Sequence, residues 1–166
     1  MVDLSFSLEE LEFYLLILVR VSCFVFAAPF FSINNAPRMV RVALSVFVSF
    51  LLYGVVPAHE IPEYSTLLQY AQLVIKEAIV GLLIGLGAQF CIMILNFAGH
   101  LVDMEIGFAM ASMMDPTTRQ QTTVTGMYFQ YAFMLIFLLS GMYRYLISAL
   151  AETFILIPVG QAQFII

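Results

Sequence analysis

Charge is scarce in this chain. Only 10% of its 166 residues are Asp, Glu, Lys or Arg, while 63% are hydrophobic and the mean hydropathy is +1.01. A typical soluble domain carries roughly 25% charged residues, so this balance excludes one and points to the membrane. Basic residues number six against eleven acids, for a net charge of −5. No basic patch is available for a nucleic-acid backbone. The acids Asp3, Glu9, Glu10 and Glu12 crowd the start, where a secretory signal carries positive charge. The two cysteines, Cys23 and Cys91, lie inside apolar runs, where a thiol behaves as a small hydrophobe. Neither a disulfide framework nor a metal pair is expected of them. Histidine is limited to His59 and His100. His59-Glu60 has no second histidine at the spacing a zinc protease needs, and no glycine-rich loop has Walker spacing. No cofactor is called for. Alternating strands of a transmembrane barrel, internal repeats and low-complexity tails are also missing.

What remains is long apolar runs divided by short polar links. The expected fold is all-α, a multi-helix integral membrane protein with 1–166 as a single helical membrane domain. Its apolar segments fall at about 11–31, 40–56, 67–97, 124–139 and 145–157. Ser7 and Glu10 read as a capping box ahead of the first. Arg20 interrupts that segment, and Pro29, Asn34, Asn35 and Pro37 mark a turn after it. Pro57 and Pro62 close the second. Arg38 and Arg41 place the first link on the cytoplasmic side by the positive-inside rule, with the N-terminus outside. At ~1.5 Å per residue the third segment exceeds a ~30 Å hydrocarbon core by half again. It must therefore tilt, bend or leave the bilayer, and Gly81, Gly85 and Gly87 are where a bend could fall.

Gly81, Gly85 and Ala88 share one helix face in a small-residue pattern that permits close helix packing. The face serves either a neighbouring helix of the same chain or another subunit. Lys76 and Glu77 interrupt the same segment. Adjacent helical residues do not face each other, so each, like Arg20, is either solvated beyond the bilayer or paired elsewhere.

The run from Gly99 to Pro116 holds the most telling residues. Gly99, Asp103 and Gly107 repeat every four residues and share a helix face. Asp103 is read either as a solvated residue at a helix end, beside Glu105, or as an inward-facing acid that fixes a constrained turn. Phe108, Met110, Met113 and Met114 come next, ahead of Asp115-Pro116. Methionine is a soft filler that adapts to irregular gaps. The block between Gly107 and Pro116 therefore reads as a compliant apolar seal: a pore-loop candidate over 106–116, with Gly99, Asp103, Gly107, Asp115 and Pro116 as hinge and anchoring residues. Catalysis is poorly supported. A two-aspartate site would need Asp103 and Asp115 to meet and share a proton, and nothing in the sequence brings them together.

These residues resemble the flagellar export-gate family FliR, a membrane component of type III secretion. The family pattern appears as Gly99, Asp103, Gly107-Phe108-Ala109 and Asp115-Pro116. A second block is Ala149-Leu150-Ala151-Glu152-Thr153-Phe154, leading into Ile157-Pro158-Val159-Gly160. Arg20, Pro29-Phe30-Phe31 and Pro37-Arg38 also fit, so the likeness runs along nearly all the chain. Asp115 ahead of Pro116 favours the flagellar branch over virulence injectisomes. Ser140-Gly141-Met142-Tyr143 stands where members often have a histidine-rich step. Members continue with further C-terminal apolar helices that are absent from this chain.

The resemblance implies a non-enzymatic subunit of a hetero-oligomeric export pore in the bacterial inner membrane, at the flagellar basal body. It implies FliP-like and FliQ-like partners, FlhA and FlhB alongside, and unfolded flagellar proteins as export substrates. The loop around Phe108, Met110, Met113 and Met114 would plug the closed pore, and the helices would form hairpins buried among subunits and lipid. A competing reading is a small-solute or ion transporter or channel subunit with Asp103 and Glu105 as its ion site.

Overall fold

The computed structural model describes residues 8–28, 37–56, 64, 66–107, 113–114 and 121–160. Five helices make up the described fold: α1 (Leu8–Ala27), α2 (Arg38–Tyr53), α3 (Leu67–Ile106), α4 (Val124–Leu139) and α5 (Met142–Leu156). Between α3 and α4, β1 (Met113–Met114) pairs antiparallel with β2 (Gln121–Thr122), Met113 opposite Thr122 and Met114 opposite Gln121.

α1 is the centre of the packing. Phe13, Leu16, Ile17, Val21, Phe24 and Val25 are buried, a three-and-four spacing that puts them on one broad stripe. α3 runs parallel to this stripe. Gly81 meets the Arg20 carbonyl and Gly85 meets Phe24, Ala27 and Ala28, so both helices advance in the same sense. α2 returns along the other side, with Tyr53 edge-on to Phe13 and Tyr14 at centroid distances of 6.2 and 6.1 Å.

The third apolar segment extends further than expected. It is one continuous helix of 40 residues, and it runs past 97 to Ile106. Gly81 and Gly85 do not break it because their missing side chains are used for close approach to α1: a Cβ at Gly81 would overlap the Arg20 carbonyl oxygen. The helix stops at Gly107, whose φ of 84° is left-handed, a conformation glycine adopts without steric cost.

α3 is the one described helix long and apolar enough by itself to cross a membrane. α4 and α5 pass the same test only as a pair, bent by 78° at the Ser140-Gly141 break. α5 begins three residues before the expected fifth segment. Ser7, the 29–36 turn and the 57–63 link lie outside the described residues, as does the end of the first expected segment.

Candidate functional site

Two buried carboxylates divide α3 into an apolar stretch and its ends. The first is Glu77, fully buried with Arg20. Arg20 Nε donates to Glu77 Oε2 at 2.5 Å. Its Nη1 donates to the carbonyl oxygens of Thr153 at 3.3 Å and Ile157 at 3.0 Å. The Ile157 carbonyl lies just past the end of α5, where helical partners run out, while the Thr153 carbonyl also accepts from the Ile157 N–H at 2.9 Å. The guanidinium stacks over the Phe154 ring at 4.3 Å. Glu77 Oε1 accepts from the Gly160 N–H at 2.8 Å. Two lone charges in apolar runs thus pair across α1 and α3 and cap α5 from outside. Of the alternatives open in the sequence, solvation and pairing, the structure has pairing for Arg20 and Glu77; Lys76 is part-exposed beside them.

The second carboxylate is Asp103, also without solvent exposure. It accepts from the Thr125 backbone N–H at 2.9 Å and from the Thr125 hydroxyl. One turn earlier, Gly99 lies so closely against Gly126 that a Cβ there would overlap the Gly126 backbone. Thr123 caps α4 by accepting from the Gly126 N–H at 3.3 Å. The end of α3 and the start of α4 are therefore clamped by one acid and two glycines. The segment that leaves at Gly107 and returns at Thr123 is held at both stems.

Of the residues singled out in the sequence, Gly99 and Asp103 come together at this clamp and Gly107 marks its edge. Phe108, Met110, Asp115 and Pro116 lie outside the described residues; for Met113 and Met114 the backbone pairing alone is described. Gly81 and Gly85 face α1 of the same chain, and Ala88 packs against the core. That contact takes up the glycine face left open between intrachain and intersubunit packing. Glu105 is exposed while Asp103 is buried and bonded to Thr125, so the two acids do not converge on an ion site. Among the described residues, no group of three His, Cys, Asp or Glu side chains could hold a metal.

Thr123, Thr125 and Gly126, and the partner of Arg20, do not stand out in the sequence. A Thr-x-x-Gly step at the head of an apolar run is the available signal for the first three, a hydroxyl N-cap ahead of a small residue. For the last, the signal is a lone cation, Arg20, in the first apolar run and an acid, Glu77, beside Lys76 in the third.

A model of the family described as bacterial export proteins, family 1, matches residues 11–166. The chain belongs to this family. It is 33% identical over 153 residues to the flagellar biosynthetic protein FliR of Bacillus subtilis (strain 168), across 90% of this chain and 57% of that one. To the protein of the same name from Escherichia coli (strain K12) it is 26% identical over 153 residues, across 92% and 58%. The Yop proteins translocation protein T of Yersinia pestis is 38% identical over 86 residues, across 52% of this chain and 33% of that one. The chain spans somewhat more than half the length of the FliR relatives it matches. The described fold is predominantly helical, and α3 is long and apolar enough to cross a membrane.

Proposed function

We propose that the chain acts in the type III protein-export gate of flagellar biosynthesis, as the subunit whose pore loop, the 106–116 candidate between the stems at Gly107 and Thr123, closes the pore. The carrying observation is the clamp at the stems of that segment: Asp103 holds Thr125 and Gly99 holds Gly126. A fixed base lets an apolar segment seal and yield without the supporting helices moving. Phe108, Met110, Met113 and Met114 are the side chains proposed to fill the closed pore, because flexible apolar groups close an irregular gap with no hydrogen bond to break. Gly107, Asp115 and Pro116 are its proposed hinges. The names of the relatives support flagellar export and protein translocation. On this reading the protein is not an enzyme. It sits in the bacterial inner membrane at the basal body, with FliP-like and FliQ-like subunits, FlhA and FlhB, and passes unfolded flagellar proteins.

The decisive experiment deletes residues 110–114 and measures complex yield and membrane conductance on the same preparation. The expected outcome is an assembled complex that leaks small ions. A static core role gives the reverse, lost assembly without a leak. Unchanged conductance in a well-assembled deletion would sink the seal.

A further inference from the structure

The sharp turn between α4 and α5 invites a local explanation. Gly141 sits in the left-handed region at φ 70°, with open space where a Cβ would point. The torsions at Ser140 and Gly141 carry the 78° bend, and what holds them there is to be sought at the far ends of the two helices.

The ends of the bent pair are both tied to α3. At the start of α4, Thr125 donates to Asp103. At the end of α5, the Gly160 N–H donates to Glu77, and the Thr153 and Ile157 carbonyls accept from the Arg20 that Glu77 holds. Glu77 and Asp103 are about 26 residues apart on one continuous helix, or about 39 Å at 1.5 Å per residue. The stretch from Thr125 to Ile157 would be about 48 Å long as a straight helix. It would overshoot its anchors by about two turns. Bent by 78° near its middle, the same two legs span about 37 Å end to end, given that rise. The bend brings the pair to the spacing of the two acids.

We infer that Glu77 and Asp103 set the bend of α4–α5: the pair is a strut strung between two buried carboxylates of α3, and Gly141 is only the place where it yields. The strut does not depend on the proposed pore seal, since α3 shapes its neighbours whether or not the 107–123 segment closes anything. The two do meet at one point. The strut links the Arg20–Glu77 knot to the clamp under the 107–123 segment.

Pulsed dipolar spectroscopy tests this directly. Spin labels go on Y128C in α4 and E152C in α5, both exposed positions, in a C23A/C91A background. The protein is reconstituted in lipid nanodiscs with whatever subunits co-purify. The 78° bend places the two backbones about 28 Å apart, and a straightened pair places them about 36 Å apart. R20K keeps the cation beside Glu77 but lacks the planar fork that reaches two carbonyls. D103A removes the other anchor. Each is expected to broaden the distribution and shift it toward the straightened distance, while G141A, with both anchors intact, stays near the bent one. If G141A lengthens the distance and the anchor variants leave it unchanged, the bend is local and the inference is overturned. Loss of helical circular dichroism in both R20K and D103A also overturns it, because the anchors would then hold the whole fold and not the bend.

Discussion

Glu77 and Asp103 lie on the same helix and are equally hidden from solvent, yet they are satisfied by different means. Glu77 faces a full opposite charge, and that charge is itself shared among two carbonyls and an aromatic ring. Asp103 has no cation within its hydrogen bonds. It relies on the hydroxyl and N–H of Thr125, and on the Thr123 hydroxyl, at the start of α4, where free N–H groups and the helix dipole favour a carboxylate. The first arrangement joins parts of the chain more than a hundred residues apart in sequence, from Arg20 to Ile157. The second joins neighbours across one connection. A charge held by several bonds gives way only when several of them are lost together. A carboxylate at a helix start is held by fewer, neutral partners, here two threonines of one turn. Burial alone therefore does not rank two acids: the end of α3 that borders the proposed seal is the more yielding one.

The strongest way to break this contrast is to remove one member of the charge pair. Glu77→Ala leaves a buried guanidinium uncompensated and should cost about 3–5 kcal/mol. It should be read as a fall in the denaturant or temperature midpoint of the detergent-solubilised protein. The double replacement R20M/E77L removes both charges and should recover most of that loss, because desolvated ion pairs are often no better than well-packed apolar residues. A double variant as weak as Glu77→Ala would show that capping the end of α5 matters more than charge balance.

At the other end, Asp103→Asn keeps the shape and removes the charge. It should cost about 1.5–3 kcal/mol, the worth of hydrogen bonds to an ionised group. Exchange of the amides at the start of α4 should quicken while those around Arg20 stay protected. Equal quickening at both ends would erase the distinction between the two acids.

Glycine substitutions sharpen the comparison along α3. Gly81→Ala forces a Cβ into a backbone oxygen on α1, and backbone cannot step aside as a side chain does. A loss of about 1–3 kcal/mol is expected from such overpacking. Gly87→Ala meets open space on the same helix and should be neutral or stabilising by up to about 1 kcal/mol. Thermal midpoints of the two variants check this, and a similar loss at both would mean that backbone conformation, not the α1 contact, sets the effect.

Parts of this arrangement are legible in the sequence, and the rest is hidden for physical reasons. α4 is clear because a threonine tract precedes its apolar run and Ser140-Gly141 ends it, so local chemistry and hydropathy agree. The reach of α3 is hidden because His100, Asp103 and Glu105 look like a solvated end when hydropathy is read alone. Asp103 is instead buried by α4, which lies beyond a long connection. The small-residue face at Gly81 and Gly85 announces close packing but not its partner, since any smooth helix fits it. Arg20 and Glu77 are visible as anomalies and unreadable as a pair. They are separated by 57 positions, and no periodicity connects residues on two different helices.

The smallest expected effect separates fold from seal. Gly107 and Gly141 have similar left-handed φ values, 84° and 70°, and each would place a Cβ in open space. Replacing either with alanine should therefore cost about 1 kcal/mol, the conformational penalty alone. In stability the two variants should be indistinguishable. They differ in the chain beyond each glycine: Gly141 leads into α5, which is fixed at its far end by Arg20 and Glu77, whereas Gly107 leads into the segment proposed to close the pore. Gly107→Ala should thus raise ion conductance of the assembled complex, and Gly141→Ala should not. Matching conductance at matching stability would place the seal somewhere other than the segment that Asp103 and Thr125 hold.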